Sequence, residues 1–226
     1  MSGEATEPDP ADAARRAQER MAFILGLRAK GIADVAVLRA LETAPREIFV
    51  PRRHVDLALR DVALPIPCGQ TMPEPYLVAR MMEALQVRPQ HRVLEIGAGS
   101  GYATAVLAQL AKEVVSYERF RSLALEAQMR LRSLGVANAR VEWEDGLANA
   151  SEGGLFDRIL VHGIVDEPPP ASLVEALAEG GLIVAARRGE DGRRLVRFAH
   201  RDGGFVVADV APCRLGPLQA GKSAGM

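Results

Sequence analysis

Residues 91–102, read HRVLEIGAGSGY, carry the feature that most limits what this chain can fold into. The run Arg92 to Ile96 is short, mostly apolar and rich in branched side chains. It ends on Gly97, Gly99 and Gly101, a density of glycine that neither a strand nor a helix interior tolerates well. Beyond the glycines, Tyr102, Val106, Leu107 and Leu110 recur at helical intervals, so the order is buried strand, tight turn, helix. Glycines at such a turn let the main chain come close to a ligand, and the free N–H groups of the helix start point at it. The geometry suits a nucleotide-like cofactor. A dinucleotide fingerprint would place a small residue where this chain has Tyr102, so that cofactor class fits poorly.

The 226 residues carry a net charge of −1 and are 48% hydrophobic, which predicts one globular α/β unit with a real core. Near-neutral charge gives no sign of broad attraction to nucleic acid. No apolar run reaches the length of a membrane span, and the N-terminus lacks an apolar leader segment, so the expectation is a cytoplasmic protein without membrane contact. Cys68 and Cys213 lack metal-ligand spacing and read as free thiols, Cys68 as a small buried hydrophobe; no metal is expected.

In chain order, residues 1–12 are polar and expected to be mobile. A helix follows from about Ala13, with Met21, Ile24, Leu25 and Arg28 along one side and Gly31 as its stop. Asp34 is placed to cap a second helix carrying Val35, Leu38 and Leu41. Residues 44–51 and 61–76 are punctuated by prolines yet apolar, which predicts loops held by their own packing rather than by ladders. With them, residues 13–90 form an N-terminal helical cap and loop region on a sheet domain spanning 91–218, and the polar tail 219–226 is expected to fray.

Within the sheet domain, strands are predicted at 113–118, 139–143, 155–161 and 182–186, with helices at 122–134 and from the prolines 168–170 to 177. A charged hairpin tip between Arg187 and Arg194 joins antiparallel strands at 195–199 and 205–210. Glu118, an acid at the end of the second strand, can accept both hydroxyls of a ribose. The strand 155–161 delivers His162 and Gly163 to the crevice where open α/β sheets bind ligands; a strand-end histidine bonded to a neighbouring carbonyl is the simpler reading, beside one in which it holds an acceptor carboxylate.

Four ordered motifs carry a more specific likeness: PRE-x-FVP from Pro45, D-x-x-LPI from Asp61, GQT-x-x-x-PY from Gly69, and VLEIGAGSGY from Val93. Together they resemble the protein-L-isoaspartate (D-aspartate) O-methyltransferases, a family with the Rossmann-like fold of class I methyltransferases. The resemblance implies a mostly parallel sheet with helices on both faces, an antiparallel C-terminal strand pair and an N-terminal helical cap. It implies S-adenosylmethionine as donor, S-adenosylhomocysteine as product, and as acceptor the α-carboxylate of L-isoaspartyl residues in damaged proteins or peptides; the expected state is a monomer or weak oligomer. By the same likeness Glu95, Gly97, Ala98, Gly99, Ser100 and Gly101 form the cofactor turn, with Met72, Glu118, Asp145 and Gly146 completing that site. Gln70 and Thr71 are the polar groups that orient the acceptor, with Pro73 and His162 beside it. The chain departs from the family pattern on the acceptor side: Met72 and Pro73 stand where an isoleucine and a serine credited with catalysis are usual, Val161-His-Gly-Ile164 replaces Val-Thr-Ala-Ala, Glu144 replaces a glycine and Ala186 a proline. A methyltransferase of this lineage with another carboxylate or small molecule as acceptor, and a non-catalytic cofactor-binding module, remain the alternatives at this point.

Overall fold

The computed structural model describes residues 10–201 and 204–224. A seven-stranded sheet organises it, in the order β5-β4-β3-β6-β7-β8-β9. The strands are β3 (Arg92–Ile96), β4 (Glu113–Glu118), β5 (Ala139–Trp143), β6 (Phe156–Ile164), β7 (Leu177–Gly189), β8 (Gly192–Arg201) and β9 (Gly204–Pro212). β3 to β7 are mutually parallel, while β8 and β9 run antiparallel beyond them. From β3 the chain moves outward to β5, then returns to lay β6 on the other side of β3. That reversal puts the C-terminal ends of β3, β4 and β6 around a crevice, the place where open α/β sheets bind ligands.

Strand periodicity builds two cores, one on each face. Val93, Val114, Leu160, Val184 and Leu195 point to one side; Leu94, Val115, Ile159, Ile183 and Val196 point to the other. The first face is covered by α2 (Val35–Thr43), α4 (Pro75–Leu85), α5 (Tyr102–Ala108) and α6 (Arg121–Ser133), with α1 (Pro10–Ala29) packed outside. The second is covered by α7 (Ala171–Glu175) and a 3-10 turn at Ala150–Gly153. Helices thus flank both faces, unequally.

Local chemistry sets the boundaries. Asp34 caps α2 by accepting from the Ala36 and Val37 N–H groups, and Gly135, left-handed at φ 70°, follows α6. β7 and β8 meet at Gly189 and Gly192, the charged hairpin tip the sequence predicted.

Several expectations change. Helix α1 begins at Pro10, so residues 10–12 are helical; residues 1–9 lie outside the described residues. Its buried side is Phe23, Ile24 and Leu27, whereas Met21 and Leu25 face solvent, because α1 meets the domain along a stripe one position removed from the expected one. The proline-rich stretch 61–76 contains a ladder after all: β1 (Leu64–Ile66) pairs antiparallel with β2 (Gln70–Met72). Pro65 is tolerated because a two-stranded ribbon is all edge. α7 is a single short turn from Ala171 to Glu175, and β7 begins at Leu177, earlier than predicted.

The tail is the largest difference. It does not fray within the described residues: Ile164 donates to the Gly216 carbonyl, and Ser223 bridges back to β4's end by donating to Arg119 O at 2.7 Å and accepting from Arg121 N. The segment 213–224 therefore crosses the crevice as a strap.

Candidate active site

The crevice encloses about 470 Å³, ample for a small cofactor. Its floor is the glycine turn. Gly97, Gly99 and Gly101 all have left-handed φ, at 92°, 55° and 90°, which side-chain-bearing residues rarely adopt. Gly99 N–H donates to Glu118 Oε2 at 2.8 Å, and Phe120 N–H donates to Glu118 Oε1 at 2.9 Å. Each carboxylate oxygen is thereby fixed with lone pairs to spare, and the group lies only 5% exposed. Burial pushes the Glu118 carboxyl above its usual range, against the pull of those two N–H groups.

The rest of the predicted cofactor residues divide by position. Gly97, Gly99, Glu118, Asp145 and Gly146 line the crevice, joined by Ile96, Tyr117 and Leu147. Gly146 packs so tightly on Ile96 and Tyr117 that a Cβ would meet the Ile96 Cγ2 at 2.8 Å. Asp145 accepts from its own turn at Leu147 N and from Gly221 N of the strap. Glu144, whose bulk the sequence flagged, is absorbed by the turn: it accepts from Asp145 N and Asn149 Nδ2 and pairs with Lys222 at 3.0 Å. Ala98, Ser100 and Met72 border a smaller adjoining cavity, where Ser100 Oγ donates to Met72 Sδ. Gly101 faces away from the crevice, against Ala127 of α6.

Glu95 is not at the crevice wall. Sharing the face of Val93, it points toward α5 and is fully buried. Thr104 and Ser116 hydroxyls donate to Oε2, and Oε1 meets His162 Nε2 at 2.9 Å. The simpler expectation for His162, a bond to a nearby carbonyl, is corrected here: its partner is a carboxylate 67 residues away.

Gln70, Thr71 and Pro73, the residues expected beside the acceptor, come together with His162 along the same crevice. Pro73 offers no donor, and its carbonyl accepts from Arg46 Nη2 at 3.0 Å. Arg46 is 1% exposed and also donates to the Ala58 and Val62 carbonyls, so one guanidinium ties the PRE segment to the GQT loop.

Sequence reasoning missed the strap's share of the site. Leu215 to Gln219 line the crevice, and Arg119 holds Gln219 Oε1 and Gly221 O at 2.7 and 2.8 Å. The signal available was modest: Leu215, Pro217 and Leu218 are apolar residues just before the tail that was read as polar.

Among the described residues no three potential ligands gather to hold a metal, and no helix is long and apolar enough to cross a membrane. The reversal of strand order, the glycine turn and the acid at the end of β4 are those of a Rossmann-like α/β protein built to hold a nucleotide-like cofactor. The family model of protein-L-isoaspartate(D-aspartate) O-methyltransferase matches residues 18–223. A protein-L-isoaspartate O-methyltransferase of Rhodopseudomonas palustris is 44% identical over 203 residues, covering 90% of this chain and 94% of its own length. One from Xanthobacter autotrophicus is 47% identical over 210 residues, covering 91% and 94%. Among solved structures, a protein-L-isoaspartate O-methyltransferase aligns with TM-score 0.75 at 27% identity, over 89% of this chain and 66% of that one. A Plasmodium falciparum methyltransferase in complex with S-adenosyl-L-homocysteine aligns with TM-score 0.74 at 21% identity, over 88% and 97%, and shares the fold. The chain belongs to the protein-L-isoaspartate(D-aspartate) O-methyltransferase family.

Proposed function

We propose that the protein esterifies the α-carboxylate of L-isoaspartyl residues in damaged proteins, with S-adenosylmethionine as donor. The observation that carries this reading is the joining, in one crevice, of a glycine turn and buried Glu118 with the GQT loop of the family. When bound, S-adenosylmethionine supplies a methyl carbon made electrophilic by its sulfonium. Gly97 to Gly99 offer main chain that can approach closely, Glu118 has acceptor capacity for two ribose hydroxyls, and Asp145 and Gly146 border the base. Met72, Ala98 and Ser100 back the turn from behind. Gln70 and Thr71 orient the acceptor, and the β1–β2 hairpin keeps water from it. A carboxylate nucleophile is already ionised near neutral pH, so orientation and desolvation suffice and no general base is needed. The reading includes a cytoplasmic protein acting as a monomer or weak oligomer, without nucleic acid or membrane.

The test is methyl-ester formation on an isoaspartyl peptide against the same peptide with normal aspartate. Turnover on the first alone is expected. Binding of S-adenosylhomocysteine with no ester on either peptide would reject the acceptor and leave another carboxylate, a small molecule, or cofactor binding without catalysis.

A further inference from the structure

We propose that His162 is the group that grips the acceptor carboxylate in this chain, with buried Glu95 as the positioning residue that aims it. The inference rests on a carboxylate acceptor and adds the residue that recognises it.

Three observations converge. First, His162 borders both the crevice and the small cavity beneath the hairpin, in company with Thr71 and Pro73, and its Cβ would lie 3.3 Å from a methyl placed on Gly97. It stands where the acceptor side meets the glycine turn. Second, its Nε2 is committed. Glu95 accepts only, so with Thr104 and Ser116 already donating to Oε2, the third donor is the imidazole. The pair fixes ring orientation from a fully buried anchor, as a carboxylate does for a functional histidine elsewhere. Third, among the described residues no protein group bonds Nδ1, the nitrogen left for a ligand, and the side chain stays 10% exposed.

Charge completes the argument. The groups sharing the crevice wall are Glu74, Glu118, Glu144 and Asp145 against Arg119 and Arg214. Arg119 is spent on the strap, and Lys222 on Glu144. An anionic acceptor entering this acidic surface meets no hydroxyl at Pro73. With Nε2–H held on Glu95 and its charge balanced there, the ring offers Nδ1–H to one acceptor oxygen and leaves the other free to attack. No proton is transferred when a carboxylate becomes an ester, so the ring binds and does not relay.

In His162→Gln, KM for an isoaspartyl peptide should be about tenfold higher, with kcat and S-adenosylhomocysteine affinity within about twofold of the parent. Glu95→Gln, which keeps the size, should raise KM in the same direction with kcat unchanged, because the amide no longer holds the ring in place. Calorimetry of the peptide binding to the S-adenosylhomocysteine complex reads acceptor affinity without turnover. A His162→Gln enzyme with the parent's KM, or one whose cofactor affinity and kcat fall together with acceptor binding, overturns the proposal. If the parent binds the peptide about tenfold more tightly than His162→Gln yet neither forms an ester, the activity reading fails and this one stands; equal peptide affinity in parent and variant removes this one alone.

Discussion

Glu118 shows what a single residue contributes and how its environment sets a pH response. Burial raises its carboxyl above the ordinary range, and hydroxyl donors from a ribose would favour the ionised form, so binding lowers that value again. The sign follows: affinity for S-adenosylhomocysteine is full above the free protein's Glu118 titration and falls as pH drops through it, beginning higher than an exposed glutamate would allow. Glu118→Ala should weaken binding by about 1–3 kcal/mol and flatten that pH dependence, as read by calorimetric titration across the acid range; an unchanged affinity would remove Glu118 from the site. Its strand-end position was legible seventeen residues past Gly101. The partner of His162 was not, because Glu95 reads in sequence as part of a buried strand and only the crossover between β3 and β6 brings the two side by side.

At the scale of elements, the hairpin β1–β2 and the segment that supports it depend on Arg46. Its guanidinium serves carbonyls of Ala58, Val62 and Pro73 while stacked 5.7 Å from the ring centre of Tyr102, so removing it strands several buried acceptors at once. Arg46→Met should lower unfolding stability by on the order of 3 kcal/mol in urea titration. It should also raise the acceptor KM through a loosened loop; a stable variant with unaltered kinetics would show that the hairpin holds without it. Sequence pattern located this region and its ordering correctly. It missed the ladder because Pro65 and Pro67 mask a strand signal that only an isolated two-stranded ribbon can accommodate. Likewise the α1 stripe was misplaced by its exposed Met21 and Leu25, whose hydrophobicity outweighed the Phe23 and Leu27 positions that pack.

Across the whole molecule, short branched apolar runs made the strands readable one by one, while the parallel sheet they form was supplied by the family resemblance. The strap was unreadable for the opposite reason: residues 219–224 bury little and are held by main-chain bonds to Arg119, Arg121 and Asp145 that no side-chain pattern announces. Removing residues 219–226 should leave thermal unfolding nearly unchanged and weaken S-adenosylhomocysteine binding about tenfold, near 1.4 kcal/mol, because Gln219 and the Gly221 and Ser223 tethers that hold residues 214–218 against the crevice go with them; equal affinity in the shortened chain would show the tethers to be dispensable. The chain's one tryptophan, Trp143, donates from its indole to Arg119 O and lies 4.7 Å beneath the Lys222 ammonium. Undocking the strap would strip that ammonium from the ring, so the protein carries a built-in optical gauge: its ultraviolet emission should change in colour and intensity whenever the last turn of chain lifts, with no dye attached.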